Sequence, residues 1–269
     1  MSDDMMKDVA KEVAKDVYAD TGKPVLKPTG ELLGLVPRAI HAALLPIEKW
    51  VLSKEYNLEA TKRLLDKKLE NVPAELIESP EPHIAVPALQ YISYCMDNEE
   101  LRNMYANLLA NSMNSVMKNG VHPAFVEIIK QLCPDEAKLM KHIYQVKTVP
   151  TIDICMKNKE GGRILLYKNY SNIGKSTGCE SPESISSYFD NLIRLGLIEQ
   201  SPALSSLINK ELYEPLKNDS FIKRYAVKME AKDDTYERKC DEAYIRITAF
   251  GTLFGDICLI DPPPVGLVE

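Results

Sequence analysis

The chain has 269 residues, 45% of them hydrophobic and 27% charged, and carries a formal net charge of −6. That is an ordinary globular mixture, long enough for one large domain or two ordinary ones, and it excludes a disordered or collagen-like chain. An acidic balance disfavours a general phosphate binder, because duplex DNA is held largely by Lys and Arg neutralising phosphates.

Taken in chain order, Met5, Val9, Val13 and Val17 recur every fourth residue, which predicts a thin amphipathic helix over residues 1–22, closed by Gly22 and Pro24. A stripe this narrow suits a helix lying on a partner. The start Met1-Ser2-Asp3-Asp4 is acidic, so no secretory signal is expected there. Residues 23–132 read as a helical domain. Within it, Leu32 to Leu52 is the most apolar stretch, but Pro37, Arg38, His41, Pro46, Glu48 and Lys49 interrupt it. It is therefore read as buried or interfacial, not spanning, and peripheral membrane contact is one possible role.

Glu59 to Leu69 predicts a helix with Lys62, Arg63, Lys67 and Lys68 on a solvated face. Pro73, Pro80, Pro82 and Pro87 suggest a rigid link, followed by a short helix from Ala88 to Met96. Asp97 or Asn98 is placed to cap the next helix, whose apolar positions run from Leu101 to Met113 and whose end is expected near Lys118-Asn119-Gly120. Pro123 opens a short helix with Phe125, Ile128, Ile129 and Leu132 inward. Pro134 opens another, with Asp135 and Glu136 in its first turn and Leu139, Met140, Ile143 and Tyr144 as its core face.

Residues 133–260 change texture. Val149–Met156 and Arg163–Tyr167 read as a hairpin around Gly161-Gly162. Ser181 with Pro182 starts a helix that buries Ile185, Tyr188, Phe189, Leu192 and Ile193 and stops at Gly196, where Leu197-Ile198-Glu199 begins a strand. Tyr225–Met229 and Tyr244–Thr248 alternate, which predicts a two-stranded wing with Glu230–Ala243 as a long mobile tip. Thr248 caps a last helix bearing Phe250, Leu253, Phe254 and Ile257, and residues 261–269 form a frayed tail. The fold class expected is mainly α, an N-terminal helical region followed by a winged-helix-like α+β domain.

The chemistry-bearing patterns are sparse. Ile173-Gly174-Lys175-Ser176-Thr177 resembles the end of a phosphate loop, but Asn169 stands where the motif needs its first glycine. His41, His83, His122 and His142 fit no zinc-enzyme spacing, and the six cysteines form no C-x-x-C pair. Asp97, Glu99 and Glu100 read as helix N-terminal charges. No catalytic, metal or cofactor site is expected, so the chain is read as non-enzymatic, cytoplasmic and free of transmembrane segments. If the module did bind nucleic acid, Ser184, Ser187, Arg194, Lys228 and Lys232 would make the contacts; its helix offers Arg194 against Glu183 and Asp190, which makes it a poor reader.

Two stretches stand apart: Glu99-Glu100-Leu101-Arg102-Asn103-Met104-Tyr105-Ala106-Asn107-Leu108-Leu109-Ala110-Asn111-Ser112-Met113, and His122 to Leu132 continuing through Pro134-Asp135-Glu136-Ala137. With Asn71-Val72-Pro73 and Glu81-Pro82 upstream, the pattern resembles the bacterial abortive-infection alpha family over roughly residues 30–260. The resemblance implies a part in defence against phage, with no catalytic residues to carry over. A protein partner or self-association is the expected mode of action. A winged-helix nucleic-acid regulator and a membrane-surface effector are the alternatives.

Overall fold

The computed structural model describes residues 58–202, 205–224 and 236–263. The chain divides into units Met1–Leu35 and Val36–Glu269, and every described residue belongs to the second. The helix expected over residues 1–22, the apolar stretch Leu32–Leu52 and the strand Tyr225–Met229 lie outside the described residues.

A helix-rich part comes first, with α1 (Leu58–Lys68), α2 (Pro82–Ile92), α3 (Glu99–Met113), α4 (Ala124–Lys130) and α5 (Pro134–Val146). Toward the C-terminus follow β1 (Thr148–Asn158), β2 (Arg163–Tyr170), a single turn α6 (Ile173–Ser176), α7 (Ile185–Arg194), β3 (Ile198–Gln200), a second turn α8 (Glu214–Lys217), β4 (Tyr236–Ile247) and α9 (Ala249–Cys258). The four strands form one antiparallel sheet in the order β2-β1-β4-β3.

α3 is the axis of the helical part. Every residue from Met104 to Met113 is buried, because α1, α2, α4, α5 and α9 all pack on it. Ala106, Ala110 and Ser112 keep its flanks thin enough for that crowding. Asn98 caps it as expected, its side chain accepting from Leu101 N at 3.0 Å. The helix ends at Met113, earlier than the sequence suggested. Asn114 turns extended and pairs with Ile77, and Lys118–Gly120 is a separate 3₁₀ turn. The cross-link to Leu76–Glu78 captures the carbonyl of Met113 and the N–H of Ser115, and so stops the helix.

The proline-rich link is also shorter than expected. α2 begins at Pro82, where a missing N–H costs no helical bond, and runs through Pro87. The carbonyl that Pro87 leaves without a donor belongs to His83, on the solvent-exposed first turn, where water can replace it.

Phe125 stands at the centre of the packing, with Phe250 and Phe254 both 5.4 Å away between ring centroids. A single apolar cluster runs from Leu65 to Cys258 and so joins the early helices to α9. Each fully buried Leu, Ile or Phe in it contributes roughly 1.5–3 kcal/mol.

The β1–β2 hairpin forms where expected, with Gly161 at φ +88° in its turn and Asn158 Oδ1 accepting from Gly162 N. α7 stops at Gly196, φ +74°, and β3 follows at once. The wing differs from the sequence reading. Tyr244–Ile247 has both edges filled, by β1 on one side and by β3 and Ser201 on the other. Residues 236–243, expected as part of the wing tip, are the first two-thirds of β4 and pair with β1 along their whole length. Their charges hid a strand whose inner edge is bonded regardless of side-chain polarity. The start of the expected tail is held as well: Lys68 pairs with Asp261, and Pro262 is buried.

Thr248 caps α9, its Oγ1 accepting from Gly251 N at 2.8 Å. Gly251 and Gly255 both face close neighbours. A Cβ on Gly251 would overlap the Leu197 carbonyl, and one on Gly255 would overlap the Tyr144 ring.

Candidate functional site

The predicted contact residues fall on α7 and the 3₁₀ turn Pro182–Ser184 that leads into it. Ile185, Phe189 and Leu192 face inward and are fully buried. The flanks are tied down too. Tyr188 donates its hydroxyl to Asp135 Oδ2 at 2.9 Å, and Asn191 Nδ2 donates to the Gln131 carbonyl at 3.0 Å. Solvent meets Ser187, Asp190 and Arg194. Ser187 Oγ is spent on the Ser184 carbonyl at 2.7 Å, and Arg194 Nη2 donates to Asn191 Oδ1 at 2.6 Å. Glu183 holds Arg224 Nη2 at 2.8 Å. Ser187 and Arg194 thus share α7, with Ser184 in the turn just before it, while Lys228 and Lys232 lie outside the described residues.

The entry to α7 differs from expectation. The Ser181 side chain makes no cap; instead the Asp135 carboxylate, reaching over from α5, takes the N–H groups of Glu180 at 2.9 Å and Ser181 at 3.0 Å. Asp135 was expected as a first-turn charge favouring the dipole, but its side chain is only 7% exposed. Burial alone would raise its pKa, yet the two backbone donors, the Tyr188 hydroxyl and Lys138 hold it below the usual carboxylate range. Tyr188 is pushed up to about 12, by burial first and then by the carboxylate it bonds. Its neighbour Glu136 closes a capping box on Cys133 N at 2.8 Å.

A second polar region lies on the sheet. A hollow of 680 Å³ beside β4 is lined by residues that include Asp153, Lys157, Arg163, Gln200, Ser201 and Asp241. Asp153 and Asp241 are directly opposed across β1 and β4. Lys157 Nζ sits 2.7 Å from Asp241 Oδ1, and Arg163 Nη2 sits 3.3 Å from Asp241 Oδ2 and 3.7 Å from Asp153 Oδ2. Burial favours a neutral Asp241, but the Lys157 and Cys155 hydrogen bonds win and its pKa falls. Next to it, Glu242 is held low chiefly by Lys210, 2.6 Å away, and by Lys217 at 2.9 Å. Cys155 is buried and its thiol lies 3.4 Å from Asp241 Oδ2; burial pushes its pKa up, the opposite of what a nucleophilic cysteine needs. This arrangement balances charge and fixes the sheet. Sequence reasoning missed it because it took Glu230–Ala243 for a solvated tip; the visible signal was Asp153, Cys155 and Lys157 at every second position of one strand.

The family-like stretch of α3 has a definite role. Asn111 Nδ2 donates to the Ile257 carbonyl at 2.9 Å and Asn107 Nδ2 to the Cys258 carbonyl at 3.1 Å. Four residues apart, the two amides share a face and satisfy the carbonyls that α9 leaves open at its C-terminus. Both Oδ1 atoms are buried with no hydrogen-bond partner among the described residues.

The phosphate-loop look-alike is a short helix. Lys175 is locked to both Asp219 oxygens, at 2.8 and 2.7 Å, and Gly174 lies against Pro182. His122 Nδ1 accepts from Ala124 N at 3.1 Å and starts α4. Among the described residues, no group of three or more His, Cys, Asp or Glu is placed to hold a metal ion, and no helix is long and apolar enough to cross a membrane.

The model of the family described as abortive infection alpha matches residues 53–258. No curated protein matches the chain. Among solved structures, an uncharacterised protein from the hydrocarbon-degrading marine bacterium Alcanivorax borkumensis SK2 is 19% identical, aligned over 51% of this chain and 92% of its own, at a TM-score of 0.36. That degree of likeness carries no argument about this chain.

Proposed function

Because the chain belongs to the abortive infection alpha family, we propose that it is a cytoplasmic phage-defence protein that acts by protein–protein contact and self-association, with no chemistry of its own. Family membership fits the defence role. The mode of action rests on one observation, the solvent face of α7. In the winged-helix reading, α5, α6 and α7 with β1, β3 and β4 make the module, and α7 occupies the position of a recognition helix. Its outer face offers Asp190 against Arg194, with Ser187 already bonded to its own helix. A face this balanced neutralises few phosphates and suits a protein surface better.

Two experiments test the reading together. Cells carrying the gene are challenged with phage, and the purified chain is examined by light scattering and by gel shift in low salt. Protection in the cells, a self-associated species in solution and no shifted duplex are the expected results. A strict monomer that shifts duplex DNA, and loses the shift when Arg194 becomes Ala, would replace this reading with a nucleic-acid regulator.

A further inference from the structure

We propose that two copies of this chain join through the outer edge of β4, in antiparallel register centred on Cys240, to make one continuous sheet. The inference rests on the self-association reading above and names its surface.

The edge is open. β1 covers one side of β4 along its length, whereas on the other side β3 pairs only with Ile245–Ile247, and Ser201 bonds Tyr244. No described residue pairs with that side of residues 236–243. Tyr244 N and O turn toward Ser201, Thr248 N turns toward Leu197, and Ile247 N turns toward Lys147 at the β1 end. Strand alternation therefore sends the backbone N–H and C=O of Glu242, Cys240 and Arg238 outward. Such a row is a template for another strand unless it is blocked. The hollow of 680 Å³ lies along it, bordered by Ser201, Pro202 and Ser206.

The charges say what fits there. Residues 238–242 read Arg-Lys-Cys-Asp-Glu. Two antiparallel copies with Cys240 against Cys240 set Arg238 opposite Glu242 and Lys239 opposite Asp241, each pair occurring twice by the two-fold axis. The outward groups of 238, 240 and 242 then meet one another, so the hydrogen bonds and the charges agree on one register. Moving the axis to residue 239 sets Lys239 against Lys239, and moving it to 241 sets Asp241 against Asp241; both oppose like charges. A half-step register pairs an outward residue with an inward one and loses the ladder. Asp241 and Glu242 already hold Lys157, Arg163, Lys210 and Lys217 within the chain. Lys239 leans on Glu237 at 3.3 Å, and Arg238 makes no ion pair among the described residues. Self-complementarity of a single patch is what a two-fold dimer requires.

The test uses the full chain. Sedimentation velocity gives the oligomeric state, and a short bis-maleimide reports whether two Cys240 thiols lie together, since opposed residues of such a ladder have Cα atoms about 5.5 Å apart. A dimer that cross-links, loses the cross-link in Cys240→Ser, and dissociates about tenfold or more readily in Arg238→Glu supports the proposal. Arg238→Glu touches no ion pair among the described residues, and its circular dichroism is expected to match that of the parent. A dimer that neither cross-links at Cys240 nor weakens in Arg238→Glu overturns the edge register while leaving self-association standing. A strict monomer at every concentration overturns both.

Discussion

Replacing Asp135 removes the node that fastens α7 to α5. Its carboxylate, 7% exposed, accepts from Glu180 N, Ser181 N and the Tyr188 hydroxyl. Hydrogen bonds to a buried charged group contribute roughly 1.5–3 kcal/mol each, but Glu180 and Ser181 are exposed residues whose N–H groups regain some water. Asp135→Ala is therefore expected to cost about 2–4 kcal/mol, a fall in Tm of roughly 5–12 °C for a chain of this size. Asp135→Asn should do no better, since its amide can turn only one acceptor toward three donors. The sign with pH follows from the depressed pKa. The carboxylate's contribution is complete above its unfolded value of about 3.9 and is lost as pH falls through the lower folded value, so the gap between wild type and Asp135→Asn should narrow in acid. Urea titrations at neutral pH and in acid, with Tyr188→Phe and the double variant, measure the gap and the coupling. A cost below about 0.5 kcal/mol that does not change with pH would refute the clamp.

Asn111→Ala should destabilise by about 1–3 kcal/mol in urea, because it uncaps the Ile257 carbonyl in a buried setting; Asn107→Ala should behave alike, and the two effects should couple. Gly255→Ala should lower stability by more than about 3 kcal/mol or leave the chain insoluble, because its Cβ overlaps the Tyr144 ring on rigid helices; the smaller Tyr144→Ala in the same background should recover part of the loss. Cys258, fully buried with its thiol pKa pushed well up by burial, should resist iodoacetamide in the native state and react in denaturant.

Much of the fold was legible because local chemistry marked it. Pro134, Asn98 and Thr248 open helices, Gly161 turns the hairpin, and Gly196 ends α7, each through a backbone property that a neighbour cannot easily override. The failures have a common cause in tertiary bonding. Ser181 has every attribute of a cap, but Asp135 reaches its N–H first. α3 was expected to run on to Gly120, but a bridge to Ile77 took its last turn. Residues 236–243 carry five charged side chains that break any hydrophobic period, and became a strand because β1 was there to pair with them.

The candidate site was the least legible part, for a related reason. Asp153 and Asp241 are far apart in sequence; the β1–β4 register sets Asp241 beside Lys157, and the β1–β2 hairpin brings Arg163 to both carboxylates. The family-like stretch acts within the core. Its Asn107 and Asn111, at helical spacing on a crowded axis, each spend an amide on a carbonyl at the end of α9. Those two bonds tie α3 to the end of α9 within one core. Side chains spent on holding α9 are not free to meet a ligand, so the surfaces that meet partners should be sought away from them, on the solvent side of α7 and along the outer edge of β4.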